Sequence, residues 1–480
     1  MTFEARPAGA PEITKLQARA RHQARKLSGG LMAVLGAGFA IAVVAAFTLL
    51  DYKFEQDPHR LVKILLGLAA MGVILMRPWI GLFLLPIATP FLPWMPKLPI
   101  PGLNPLNVLV LGIFLPWGLT RVMNHEQLFR PSRLGLVIGL LIGLGALSIV
   151  RGAAFPTGYE YDPADAALWL FRGAMTFTIF YITMSMARGA ADRKLLAWAI
   201  AIALLLESVV TYAYGKSGSG GRAEGSFGQP NELGTFLAIF TVFTAAIALG
   251  SQRFWARAVL FATTVAGAIA TLMTLSRGAM IALALGLMLV ALRSSRLLAA
   301  ALVLALLASP WWAPQDVRER VLATQEEAED SDDVQLEGSA QIRIDTWNAI
   351  LKVVSEHPID GVGFVGLAWV LPETGGELGI EVKDSAHNTY LRLLAELGVF
   401  GLLLLLLLFW QCWSLGSEGM RRARTRFDRQ LALGLCAATV ALAVSCWFGD
   451  RFFPIIITGN FWMLCALVDD LVAERREAAT

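Results

Sequence analysis

The chain has 480 residues, of which 56% are hydrophobic and 16% charged, with a net charge of +3. Mean hydropathy is +0.60. Apolar runs close to the length of a bilayer span recur throughout, which excludes a soluble globular protein and predicts an all-α, polytopic membrane helix bundle of 12–14 spans.

The first 30 residues are basic and hold no long apolar run, so a cytoplasmic tail is expected there and not a cleavable signal peptide. Spans are expected near 31–50, 61–76, 79–95, 103–120, 134–150, 167–187, 195–214, 231–249, 254–275, 278–292, 297–313, 389–414, 431–447 and 451–471. The chain then divides into a tail (1–30), spans 1–11 (31–313), one large loop (314–388), spans 12–14 (389–473) and a second tail (474–480). Losing the proline-rich hairpin 79–120 would leave twelve spans with the same sidedness. Lys and Arg concentrate in the N-terminal tail and in the connections on its side, so both termini are expected in the cytoplasm and loop 314–388 outside.

That loop opens with an acidic run, Glu326 to Asp333, expected to be solvated. Gln341 to Glu356 is expected to be helical. Ile344, Trp347, Leu351 and Val354 share one stripe; Arg343, Trp347, Ile350 and Val354 share another, suited to lying on the membrane or covering a cleft. His357-Pro358 ends the helix and Gly361-Val-Gly363 makes a turn. The four cysteines sit in apolar segments and are expected as buried thiols.

Three polar features fall at the outer ends of spans. Arg222 lies in a glycine-rich stretch just before the span near 231, which Asn231 is expected to cap. Arg277 sits in the turn before the next inward-running span, and His387 precedes the span near 389, which Asn388 is expected to cap. The N-terminal dipole ends of all three helices point the same way, beside two guanidinium groups and an imidazole. That combination suits a diphosphate beside a proton acceptor. Each residue also has a plain structural reading: Arg277 snorkelling, Arg222 held by Glu224, His387 wetted at the headgroups. Arg392 and Glu396 are an i,i+4 pair expected to neutralise each other. Asp384 is expected as a solvated loop carboxylate, and Arg172 and Glu207, ionisable within spans, carry a functional suspicion. The five histidines show no metal-ligand spacing, and no Walker loop or dinucleotide fingerprint occurs, so no metal, cofactor or nucleic acid is expected.

The ordered set GRAEGSFGQPNELG from Gly221, LSRGA from Leu275, RIDTWNAILKVVSEHPIDGVGF from Arg343 and HNTYLRLLAELGVFG from His387 resembles the O-antigen ligase and O-antigen polymerase superfamily over roughly 205–410. The resemblance implies a helical bundle of the bacterial inner membrane with a large periplasmic loop containing short helices. It implies metal-independent, inverting transfer of a glycan from undecaprenyl diphosphate to an acceptor hydroxyl at the periplasmic face. By resemblance, Arg222 and Arg277 correspond to diphosphate-binding arginines and His387 to the catalytic histidine. Arg343 matches the arginine that opens the loop helix, and with Asn388 and Asn231 it is read as support. The acceptor stays open: lipid A–core makes a ligase, a second lipid-linked repeat a polymerase, and a serine or threonine side chain a protein transferase, in that order. A polysaccharide or lipid transporter is the rival from another class, disfavoured by the lack of an internal repeat and by charges gathered at one face.

Overall fold

The computed structural model describes residues 71–95, 104–154, 161–215, 221–322, 338–378 and 385–477. The expected span 31–50, most of 61–76, the acidic run and Asp384 lie outside them. The regular structure among the described residues is all helical, with no strand among them, and ten helices are long and apolar enough to cross a membrane. In chain order the helices are α1 (Pro78–Ala88), α2 (Pro105–Met123), α3 (Arg133–Ala153), α4 (Pro163–Met186), α5 (Gly189–Tyr214), α6 (Pro230–Gly250), α7 (Phe254–Met273) and α8 (Arg277–Ser294). They continue with α9 (Arg296–Leu307), α10 (Ser309–Trp312), α11 (Gln315–Leu322), α12 (Gly338–Glu356), α13 (Leu367–Glu377), α14 (Thr389–Arg422), α15 (Arg426–Trp447) and α16 (Ile455–Glu477).

Two expected spans are shorter than the sequence suggested. The first, 79–95, is helical only to Ala88 and then tightens into a 3-10 turn over Thr89–Trp94, where Pro90 and Pro93 withhold backbone donors. The other, 297–313, stops at Leu307, and Pro310 opens a separate helical turn. Among the described residues, one compact unit comprises those up to Leu82 with Val108–Leu128, the other those of 83–107 and from Phe129 onward. The residues of interest all lie in the second.

Helix α6 is the axis of that unit. Its most apolar window is 89% buried, against 39% for α7 and α8, because it is apolar on every side and its Thr235 hydroxyl bonds back to Asn231 O at 2.9 Å. It packs on α7, α8 and α15; α14 packs on α15 and α3, and α16 on α4. At one end of the bundle these helices are tied by charge. Arg193, fully buried, meets Asp470 and Glu474 at 2.6 Å and Asp428 at 3.4 Å, while Glu418 gathers Arg133, Arg422 and Arg476 at 2.8–3.0 Å. Breaking the buried Arg193 pairs strands a charge, so they fix how α5, α15 and α16 are registered, while the more exposed Glu418 cluster links α3, α14 and α16.

The opposite end is shaped by a kink. Gly398 in α14 has φ +66° and ψ −167°, which interrupts the helical ladder. The turn after α12 fills the gap: Val362 N–H donates to Ala395 O (2.9 Å), Gly363 N–H to Glu396 O (3.1 Å), and Val399 N–H to Pro358 O (2.9 Å). Helix α12 is thereby laid against the bundle. Ala349, Ile350 and Val353 are buried with Val362, Leu367, Leu371 and Ala395, and Trp347 packs against this cluster. Of the two stripes expected on α12, the one with Ile350 faces inward; Ile344 and Leu351 are exposed. The helix covers a cleft.

Candidate active site

The end of the bundle under α12 holds a cavity of about 130 Å³ lined by Arg222, Arg277, Arg320, Arg343, Asn231, Leu275, Ser276, Gly278 and Phe448. Four arginines from four separate segments thus meet around one small space. Arg222 is anchored from below: its Nε donates to Thr274 O at 2.9 Å and its NH2 group to Asn231 Oδ1 at 2.7 Å. Ala223 N–H donates to Met273 O, which clamps the glycine-rich loop to the turn between α7 and α8. Burial, and then the neighbouring Arg320 and Arg343 charges, push the Arg222 guanidinium below its ordinary value, with Glu224 opposing. Assembling like charges is unfavourable by itself, so the cavity is electrostatically suited to an anion.

The helix ends reinforce this. Neither Gln229, preceding α6, nor Ser276, preceding α8, makes a side-chain capping bond. Asn231, Ser276, Arg277 and Gly278 on those two first turns line the cavity, so the orphan N–H groups and dipole ends of both helices lie beside it. Asn231 was expected to cap α6 and does not. Pro230, with its fixed φ and no N–H, already opens the helix, which leaves Asn231 one position inside and free to hold Arg222.

Asn388 does cap α14: its Oδ1 accepts from Tyr390 N–H at 2.9 Å and Leu391 N–H at 3.1 Å. Just before it, His387 is half-buried with φ +48°, a left-handed conformation that costs a non-glycine residue on the order of 1–3 kcal/mol. Leu275, in the cavity wall, has φ +48° as well. The segment carrying His387 is fixed from several sides. Trp347 Nε1 donates to Ala386 O (3.1 Å), Thr389 Oγ1 to Gly449 O (2.8 Å), and Ser385 Oγ lies 3.3 Å from Asp450 Oδ2.

A second, larger cavity of about 770 Å³ adjoins the first. Its wall combines Trp169, Phe364, Trp369 and Phe453 with Glu232, Arg392, Glu396 and Asp450. Neighbouring residues line the two spaces: Asn231 the small one and Glu232 the large one, and, two apart, Phe448 the small one and Asp450 the large one. Arg451, nearly buried, joins Glu232 at 3.1 Å between them, and burial lowers its guanidinium from the ordinary value. The small cavity, well under the roughly 300–1,000 Å³ of pockets for drug-sized ligands, fits a headgroup; the large one falls within that range. Ser385, Ala386 and Thr389 line the large cavity; His387 and Asn388, between them in the chain, are among the lining residues of neither cavity.

Of the residues singled out in the sequence, Arg222, Arg277, Arg343 and Asn231 are brought together. Arg392 and Glu396 pair at 3.0 Å as expected, and they also line the large cavity, as does Arg172, whose guanidinium lies 5.2 Å from the Trp169 ring. Arg320 was missed. It sits on the short charged helix α11, within the segment expected as loop, where Val317 is buried. Asp450 and Arg451 were missed too, although a charged pair in the short link between two apolar helices was a readable signal.

A polytopic helical membrane protein with an arginine cavity at one end of its bundle is the class this architecture defines. Residues 262–406 match the family model described as O-Antigen ligase, which supports membership of the O-antigen ligase superfamily. The match runs from α7 into α14 and includes Arg277, Arg320, Arg343 and His387, but not Arg222. No curated protein matches the chain.

Proposed function

We propose that this protein is a glycosyltransferase that moves a glycan from undecaprenyl diphosphate to an acceptor hydroxyl, with lipid A–core as the acceptor. The observation that carries the reading is the meeting of four arginines with two uncapped helix N-termini around a headgroup-sized space. Phosphate oxygens are held by guanidinium forks and backbone N–H groups. The adjoining cavity, rich in aromatic rings and carboxylates, suits sugars, which offer apolar faces and hydroxyl donors. In this reading His387 takes the acceptor hydroxyl proton as that oxygen bonds to the anomeric carbon with inversion. The bond from that carbon to the diphosphate oxygen breaks, and the arginines stabilise the charge gathering on the departing diphosphate. Loop 314–388 then belongs to the periplasmic face of the inner membrane, with both termini cytoplasmic. The position of the arginine cavity at an end of the bundle, away from its middle, favours this reading over a transporter.

The test uses purified protein with lipid-linked donor, offering lipid A–core, a second donor repeat and a serine/threonine peptide in parallel. Arg277→Lys keeps the charge but loses the planar fork, so donor affinity and transfer should both fall severely while insertion is normal. Normal donor binding by Arg277→Lys and Arg222→Ala together would remove the diphosphate from this cavity.

A further inference from the structure

We infer that Glu207, fully buried in α5, carries a proton and in that neutral form latches the loop bearing Arg222. The inference follows from a count of hydrogens. Ser226, itself buried, lies against Glu207 twice: its N–H donates to Oε1 at 2.9 Å, and its Oγ lies 2.7 Å from Oε2. The same Oγ lies 2.8 Å from Pro90 O. A serine hydroxyl has one hydrogen, and a proline carbonyl has none. Two oxygen contacts therefore need a second hydrogen, and the carboxyl of Glu207 is the group that can bring it. With the proton on Oε2, every contact is satisfied: Oε2–H donates to Ser226 Oγ, Ser226 O–H donates to Pro90 O, and Ser226 N–H donates to Oε1.

The ionised alternative leaves one close oxygen pair unbridged and buries an anion. Among the described residues no Lys or Arg makes an ion pair with Glu207, and an uncompensated buried carboxylate is strongly disfavoured. The approach is also built into the loop backbone. Gly225 has φ +52°, and a Cβ there would lie 2.3 Å from Glu207 Oε1. The latch acts on the site through four residues of chain. Arg222 leads the same loop and reaches Thr274 O and Asn231 Oδ1 from it, so the depth of Ser226 against α5 sets the height of the Arg222 guanidinium in the cavity. Glu207 is thus a positioning residue for the donor site, and that part of the inference rests on the function proposed above.

The experiment compares wild type with Glu207→Gln, Glu207→Ala and Gly225→Ala in nanodiscs. The infrared difference between wild type and Glu207→Gln should contain the carbonyl stretch of a protonated carboxyl group. Glutamine donates from its amide and accepts on its carbonyl, as the neutral acid does. Amide hydrogen exchange over 222–229 should therefore stay slow in Glu207→Gln and become fast in Glu207→Ala and Gly225→Ala. Donor affinity should follow: near wild type for Gln, and weaker by about ten- to thirtyfold for Ala, the loss of two buried hydrogen bonds. Absence of the carboxyl band, or a glutamine variant as impaired as alanine, would overturn the neutral latch. Unchanged exchange in Glu207→Ala would overturn the latch altogether. The infrared and exchange measurements use no substrate, so a wild type that shows both signatures yet transfers no glycan would refute the proposed function and leave the latch standing.

Discussion

Replacing Gly398 with alanine tests how the loop helix is held over the site. A Cβ at this position would lie 1.9 Å from Ile359 O and 2.3 Å from the Ile359 carbonyl carbon, both backbone atoms that cannot swing aside. The φ/ψ pair at Gly398 is open essentially only to glycine, so alanine adds about 1–3 kcal/mol of strain if the backbone stays in place. If the turn retreats instead, the three backbone hydrogen bonds that dock 358–363 on the kink are lost, at about 1 kcal/mol each. Either way the cost is a few kcal/mol out of the roughly 5–15 that stabilise a folded chain. The protein carries its own probe, since Cys412, Cys436, Cys446 and Cys465 are all buried. A thiol-reactive fluorophore in a thermal ramp should report unfolding of Gly398→Ala about 2–4 °C below wild type, at about 1 °C per kcal/mol for a chain of this length. Gly376→Ala is the control: nothing lies within 4 Å of its added Cβ, and in a helix alanine is neutral to favourable. If Gly398→Ala unfolds together with the control, the docked turn does not hold α12, and the account of how Arg343 reaches the cavity fails.

Arg320→Gln and Arg343→Gln should each weaken donor binding by about ten- to hundredfold, the range for one charge-assisted contact, without lowering the unfolding temperature of the unliganded protein. A fall in stability with intact binding would make these arginines structural. Cysteines placed at the exposed positions Glu356 and Glu373 should react with an impermeant thiol reagent in intact cells, and one at Arg424 should not. Labelling at Arg424 alone would invert the topology and put His387 on the wrong side.

Much of the bundle could be read directly, because apolar runs of span length have few alternatives in a membrane. Termination was harder. The sequence pattern ran through Pro90 and Pro93 and past Leu307, where proline chemistry, not hydropathy, ends the helix. Arg222, Arg277 and Arg343 were legible because each stands beside glycine, a helix start or a defined amphipathic face. Arg320 was not, since its role depends on a short helix folding back over a cavity that no local pattern encodes. The Asn231 capping expectation failed on one residue: Pro230 had already fixed the helix start. Glu396 shows a different limit. Its i,i+4 spacing to Arg392 correctly gave the ion pair, but only the fold reveals that its backbone carbonyl receives Gly363 and the Ser148 hydroxyl, making it the junction between kink, turn and α3.

The most direct test of the central claim is single-turnover formation of glycosylated acceptor by wild type and His387→Gln, with donor binding measured on the same preparations. Glutamine imitates a hydrogen bond of the imidazole but cannot take up a proton. His387→Gln should bind undecaprenyl diphosphate-linked donor as wild type does and form product slower by about 10²–10⁴-fold, the usual worth of a general base. Product formed at the wild-type rate by His387→Gln would contradict the central claim, leaving the histidine as part of the fold at the start of α14 and the chemistry without its base.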